Sequence, residues 1–194
     1  MSRLYHAPLG VDSAVFRQVN GYRRTIGVIT SGYVSHPSAE AIEEVADAAL
    51  ICKLAVFHLG PRNVEGMAPR KEASWTASLG ITDSDLASLY SHAQWVSGLR
   101  HVEGFELPVL EGLLCGARPI VFDRPEMRKW YEGHAVFVKE SHGEELIKSL
   151  VTILSKPPQP VTLFERNFVA KKFQWSRIAN GFWEALLTRR SGEL

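Results

Sequence analysis

The residues best placed to do chemistry together are crowded into His101-Val-Glu-Gly-Phe-Glu-Leu-Pro-Val-Leu-Glu111. Two carboxylates, Glu103 and Glu111, are separated there by seven residues, with Gly104 and Pro108 between them. Pro108 suits the first position of a helix, where its missing N–H costs nothing. Glu103 then lies on the incoming loop, and Glu111 sits one turn inside the helix at a surface-facing position. The first-turn N–H groups of such a helix are unsatisfied and attract anions, and Gly104 lets a ligand approach the backbone closely. A diphosphate on the helix end, with two acids accepting hydrogen bonds from sugar hydroxyls, is what a nucleotide sugar needs. Two acids that merely cap and decorate a helix would show the same spacing, and spacing alone leaves both readings open.

The elements that position this segment alternate in period. Thr25–Thr30 is a β-rich run ending at Ser31-Gly32, and Pro37–Leu50 carries an apolar helical stripe with acids on its other face. Lys53–Leu59, Ala73–Leu79, Gln94–Gly98, Arg118–Phe122 and Ala135–Val138 read as further strands, the second of them weak. Helices are expected at Asp83–Ala93, Pro108–Cys115, Pro125–Glu132 and Glu144–Leu154, and after a proline-rich linker at Thr162–Lys171 and Ser176–Thr188. In the last of these, Ile178, Phe182, Trp183 and Leu186 form an apolar stripe expected to pack on the body. Short apolar strands alternating with amphipathic helices imply an α/β fold, a Rossmann-like parallel sheet with helices on both faces. Ligands of such sheets bind beyond the carboxyl ends of the strands, so the relevant loops start at Ser31, Gly60, Gly80, Gly98 and Asp123.

Composition narrows the function classes. The 194 residues suit one domain over 1–194, with a leading segment over 1–24 and terminal helices over 161–194. A net charge of +1 argues against nucleic-acid binding. The basic pairs Arg23-Arg24 and Lys171-Lys172 read as solvated faces. Cys52 and Cys115, inside apolar runs, read as buried thiols of a reducing compartment. No run is long and apolar enough for a transmembrane segment, and no secretion signal opens the chain, so a cytoplasmic location is expected. The seven histidines form no ligand-spaced cluster, and neither a metal nor another cofactor is expected.

The stretch Asp85–Phe122 resembles the signature block of glycosyltransferase family 4 and its retaining GT-B relatives. Their E-x7-E motif reads roughly E-G-F-G-L-P-x-L-E-A-x-A-x-G-x-P-V-V. Glu103, Gly104, Phe105, Leu107, Pro108, Leu110, Glu111, Gly116 and Pro119 match it. Pro8-Leu-Gly-Val-Asp12 with Phe16 is similar to the P-N-G-V-D…F that opens the family's C-terminal domain, and Phe173-Gln-Trp175 resembles the aromatic-x-Trp of its last helix. The resemblance thus spans nearly the whole chain. It implies the donor-binding half of a retaining glycosyltransferase, with the acceptor-binding domain absent or on another subunit. By the same resemblance Glu103 is the catalytic contact to the donor hexose. The backbone from Gly104 through Phe105, Glu106 and Leu107 meets sugar or phosphate, and Glu111 holds the ribose hydroxyls. Ser31 and Gly32 belong to the first donor loop, and Leu79 and Gly80 lie near the base. The nucleotide sugar is a substrate, and no metal is implied.

Two positions depart from the pattern. The family's first loop usually carries an Arg and a Lys that clamp the diphosphate, whereas Ser31-Gly-Tyr-Val-Ser-His-Pro-Ser38 carries neither. Neutral donors stabilise a developing phosphate charge far less than cations do. Glu106, standing where the family often has a small residue, adds a negative charge near the expected diphosphate. Arg62, Arg100, Arg124 or a partner chain are the candidates for a replacement cation. Besides the transferase reading, a non-catalytic binding or regulatory module, or a sugar-nucleotide epimerase, fits the same residues.

Overall fold

The computed structural model describes residues 8–19, 24–32, 40–60, 81–102 and 104–190. Within them the order is β1 (Ile26–Ser31), α1 (Ile42–Ile51), β2 (Val56–Leu59), α2 (Asp83–His92), β3 (Ala93–Gly98), α3 (Leu107–Leu114), β4 (Arg118–Phe122), α4 (Pro125–Tyr131), β5 (Val136–Val138), α5 (Gly143–Leu154), α6 (Leu163–Lys172) and α7 (Trp175–Arg190). The five strands pair in parallel in the order β2-β1-β3-β4-β5. This is the Rossmann-like α/β sheet that the alternating periods imply. The expected strand at Ala73–Leu79 lies outside the described residues, and the helix expected from Pro37 begins only at Ile42, with Glu40 in a β-bridge before it.

A parallel sheet must be covered on both faces, which is why its strands are apolar almost throughout. Successive side chains point to opposite faces. Val28, Trp95, Ile120, Phe122 and Val138 enter one core with α1 and α5; Ile29, Val96 and Val121 enter the other with α2, α3, α4 and α6. Local signals set the helix ends. The Thr82 and Thr162 hydroxyls cap α2 and α6 by accepting from the N–H of Asp85 (3.2 Å) and Glu165 (3.1 Å). After α1 the chain turns left-handed at Lys53, φ 56°, and enters β2.

Glycine governs how near α3 comes to β3. A Cβ added at Gly98 would lie 2.3 Å from Val109 Cγ2, and one at Gly112 would lie 2.7 Å from Val96 Cγ1. One glycine from the strand and one from the helix therefore remove the side chains that would hold the layers apart. At the amino end of β4, Arg118 fastens the linker. Its guanidinium donates to the carbonyls of His134 (2.9 Å), Gln159 (3.1 Å) and Pro160 (3.0 Å) and to the Glu165 carboxylate (2.6 Å). The leading segment is tied to the α6–α7 junction, where the Val11 N–H donates to the Phe173 carbonyl at 2.9 Å and Trp175 covers Gly10.

Several expectations change. The stripe on α7 is only partly covered: Ile178 is half-buried, while Phe182, Trp183 and Leu186 are 40%, 59% and 40% exposed. Lys172 is not simply solvated, since its Nζ donates to the Trp130 carbonyl at 3.2 Å. Arg24 likewise donates to the Gly116 carbonyl at 2.6 Å. Cys115 is buried and Cys52 half-buried, and both are free thiols. No described helix is long and apolar enough to cross a membrane.

Gly98→Ala should lower unfolding stability by about 1–3 kcal/mol through overpacking against Val109. Gly104→Ala, where a Cβ meets nothing within 4 Å, should shift it by about 0.5 kcal/mol or less. Urea denaturation of both variants checks this, and equal midpoints would refute the close-approach account.

Candidate functional site

The strand order reverses between β1 and β3, and in open sheets that switch point opens a crevice beyond the carboxyl ends. Ser31 closes β1 on one side of it, and Gly98 closes β3 on the other. Arg100, two residues past β3 and only 3% exposed, spans the gap. Its Nη2 donates to the Ser31 carbonyl (3.0 Å) and hydroxyl (2.8 Å), and its Nη1 donates to the Glu106 carboxylate (2.6 Å). Its Nε lies 3.4 Å from the carboxylate of Glu40. The backbone reinforces this joint: Glu40 and Arg100 form a β-bridge, and the Ala41 N–H donates to the Leu99 carbonyl at 3.0 Å. Glu40, expected among the solvent-facing acids of the first helix, is instead buried.

Burial sets the charge state here. It pushes the Glu40 carboxyl up to about 8; Arg100 opposes the shift and Glu106 adds to it. At neutral pH Glu40 is therefore protonated, and the triad reduces to one cation and one anion. Below it, Thr30 Oγ1 lies 2.8 Å from His58 Nδ1. Burial, then the Arg100 charge, lower that imidazole to about 4, so it is neutral at pH 7. Gly32 sits over this floor: a Cβ there would come within 3.3 Å of His58 Cε1 and 3.5 Å of Glu40 Oε2.

On the α3 side the structure corrects the reading of Glu106. Its side chain is wholly buried and paired with Arg100, so its charge does not face the crevice unpaired. The room comes from Gly98, whose missing Cβ would stand 3.2 Å from Glu106 Cγ. Glu106 is the N-cap residue of α3, and its carbonyl accepts from the Leu110 N–H (3.2 Å) and the Tyr131 hydroxyl (2.8 Å). The helix starts at Leu107, placing Pro108 second rather than first, where an N–H would also lack an intrahelical partner. Leu107 is half-buried, and Gly104 is exposed with its carbonyl accepting from Trp130 Nε1 at 3.1 Å. The Phe105 ring turns away from solvent into Trp130, Tyr131 and Phe173, with centroids 5.6, 6.0 and 5.6 Å away.

Glu111, expected to face solvent, is half-buried. Burial, with help from Asp83, pushes its carboxyl up to about 7 against a hydrogen bond from Tyr90. Glu103, Leu79 and Gly80 lie outside the described residues, and so does Arg62. Arg124, another candidate cation, is also engaged. Its Nε donates to Glu140 at 2.7 Å and its Nη2 to the His101 carbonyl at 2.6 Å. His101 Nδ1 lies 2.8 Å from Glu140, and its ring stacks on His142 at 4.2 Å. Arg124 and His101 hold Glu140 well below the usual carboxylate range. Among the described residues no group of three His, Cys, Asp or Glu side chains is placed to hold a metal. The Glu40–Arg100–Glu106 joint was not legible in the sequence, because its members are scattered over 67 positions and no local pattern pairs them.

These shifts predict a pH profile. Glu40 and Glu111 hold protons in the folded chain that the unfolded chain releases near 4.5. Their stabilising contribution is full below that value and is lost as pH rises through about 7 for Glu111 and about 8 for Glu40. His58 acts oppositely: its contribution is present above 6.5 and lost as pH falls toward 4. Above pH 6.5 the acids dominate, so stability should fall toward pH 8, by at most about 1.4 kcal/mol per pH unit for each group. Glu40→Gln should flatten the upper part of the fall in urea unfolding; a profile parallel to wild type would clear Glu40 of the effect.

The sequence matches no family profile and no curated protein. Solved structures nevertheless share the architecture. A sucrose-phosphate synthase from Thermosynechococcus elongatus superposes with a TM-score of 0.69 at 18% identity, over 96% of this chain and 53% of its own. HepE from Anabaena, solved with UDP and glucose, gives 0.69 at 13% identity, over 92% of this chain and 55% of its own. The C-terminal domain of a glycosyl transferase group 1 family protein from Francisella tularensis gives 0.56 at 13% identity, over 89% of this chain and 98% of its own. The chain thus spans about half the length of the first two and nearly all of the third. At such identities the likeness establishes the fold: the chain has the Rossmann-like architecture of a GT-B glycosyltransferase domain.

Proposed function

We propose that this chain is the donor-binding domain of a retaining GT-B glycosyltransferase of the family 4 type, and that it works with an acceptor-binding domain or subunit in the cytoplasm. In this reading a nucleotide-activated sugar lies in the crevice at the β1–β3 switch point. Glu111 accepts hydrogen bonds from the ribose, the chain from Gly104 to Leu107 meets phosphate or sugar, and Glu103 contacts the hexose. Ser31, Gly32, Leu79 and Gly80 complete the donor side, and no metal takes part. The observation that carries the reading is the position of α3: the helix bearing Glu111 starts beside the end of β3, where an open parallel sheet binds its ligand. The likeness to HepE, solved with UDP and glucose, supports it.

One observation favours a second reading, a transferase-like binding or regulatory module without turnover. Arg100 and Arg124, the described candidates for a diphosphate cation, are both matched by carboxylates of their own chain. In either reading the chain by itself turns over no donor, since the acceptor groove belongs to another domain.

Calorimetric titration with UDP, GDP and ADP tests nucleotide binding. Glu111→Ala should weaken the nucleotide that binds by roughly tenfold, the scale of a lost hydrogen bond to a charged acceptor. Wild-type affinity should rise from pH 6 to pH 8, because Glu111 ionises around 7 and the carboxylate is the better acceptor. Glu111→Gln should lose that pH dependence. Equal affinity in wild type and Glu111→Ala would remove the ribose role.

A further inference from the structure

Glu111 does not stand alone on α3. Cys115, the C-cap residue of the helix, follows one turn later on the same face, and α2 packs against that face with Tyr90 and Ser91. Tyr90 is only 1% exposed, its ring lying in the core with Leu110 and Leu114. A buried phenol needs an acceptor for its hydroxyl, and this one donates to the Glu111 carboxylate. Burial, with the Glu111 and Cys115 charges next, holds the Tyr90 hydroxyl well above its ordinary value, so it remains a donor across the neutral range. Arg100 opposes that shift and Glu40 adds to it, both from the joint beyond β3. Burial and then Glu111 push the Cys115 thiol up to about 12, against a hydrogen bond with Ser91 and the charge of Arg166 on α6. Cys115 therefore brings no anion to the cluster. Asp83, in the first turn of α2, is the like charge that acts on Glu111.

We infer that Tyr90 is a positioning residue for Glu111: its hydroxyl fixes one carboxylate oxygen at the α2–α3 interface and favours the ionised form, the better acceptor for a ligand hydroxyl. The ligand role rests on the donor-binding reading given under the proposed function. An ionised carboxylate offers about four lone-pair sites on two oxygens, and a single phenol occupies one of them. The half-buried Glu111 side chain therefore keeps acceptor capacity for a ligand while Tyr90 holds it from inside. The two groups of α2 act on it in opposite directions. A donor to the charged form favours ionisation, whereas a like charge disfavours it. Tyr90 opposes burial and Asp83 adds to it, which leaves the Glu111 carboxyl at about 7. There a change in either neighbour alters the ionised fraction at neutral pH more than it would far from the midpoint.

The test reads Glu111 first directly and then through a ligand. Carboxyl carbon NMR of the full chain, with no ligand added, should give Glu111 a midpoint at about 7 in wild type. Tyr90→Phe removes one oxygen and keeps the ring; it should raise that midpoint by about one pH unit, the scale of a hydrogen bond to a charged group. Asp83→Asn should lower it. Calorimetry with UDP, GDP and ADP should show the affinity for the nucleotide that binds following the same midpoints. Tyr90→Phe should bind it about fivefold more weakly than wild type at pH 7 and within about twofold of wild type at pH 9, as the ionised fraction recovers. A loss equal at both pH values is what damaged packing alone would give, and it would overturn the inference. An unmoved Glu111 midpoint in folded Tyr90→Phe would overturn it too and leave the proposed function standing. So would a midpoint that moves while the affinity profile stays. If thermal melting shows Tyr90→Phe unfolded, wild type labelled with 3-fluorotyrosine, a stronger donor, decides: the Glu111 midpoint should fall, and an unchanged one overturns the inference. Failure of every nucleotide to bind wild type would overturn the donor-binding reading itself, and this inference with it.

Discussion

A buried guanidinium cannot be left without partners, because an unpaired charge away from water is prohibitively unfavourable. Arg100 imposes that demand at the point where the sheet changes direction. The end of β1, the segment before α1 and the cap of α3 all supply oxygen atoms to it. These segments come from both sides of the switch point, so satisfying one side chain fixes their relative positions. Loops that would otherwise be the softest part of an α/β domain are joined here by charge-assisted bonds in a place that solvent does not screen.

The close approach of α3 to β3 makes that joint possible. Gly98 and Gly112 remove the side chains that would keep helix and strand apart. Gly98 also leaves the space into which Glu106 turns. Once inside, Glu106 meets Arg100 and stops being a surface acid. The Tyr131 hydroxyl holds its carbonyl, and the Phe105 ring locks into Trp130, Tyr131 and Phe173. The segment leading into α3 is therefore fastened by an aromatic cluster on one side and an ion pair on the other. Arg124 secures its upstream end through the His101 carbonyl. This arrangement holds the start of α3 still beside the end of β3, with the Glu106 charge used internally on Arg100.

Hydrophobic period and proline and glycine placement are local signals, and they were enough to read the parallel α/β sheet and most helix positions from the sequence. The E-x7-E resemblance likewise rests on a short contiguous stretch. By contrast, the stripe of Ile178, Phe182, Trp183 and Leu186 marked α7 as amphipathic without saying how far its apolar face is covered; periodicity records that a face is apolar and not how deeply it is buried.

Sequence by itself determined what depends on neighbours along the chain: strands and helices, their alternation, and the acids placed before and within α3. Only the tertiary structure decided what depends on neighbours through space. It turned Glu106 inward, because Gly98 leaves room and Arg100 supplies the counter-charge. It buried Glu40 and raised its carboxyl to about 8, and it half-buried Glu111 and raised that carboxyl to about 7. A charged residue written in a sequence carries no sign of its direction or its solvation. Both are set by packing, and here packing drew Glu40, Arg100 and Glu106 into the buried joint at the mouth of the sheet.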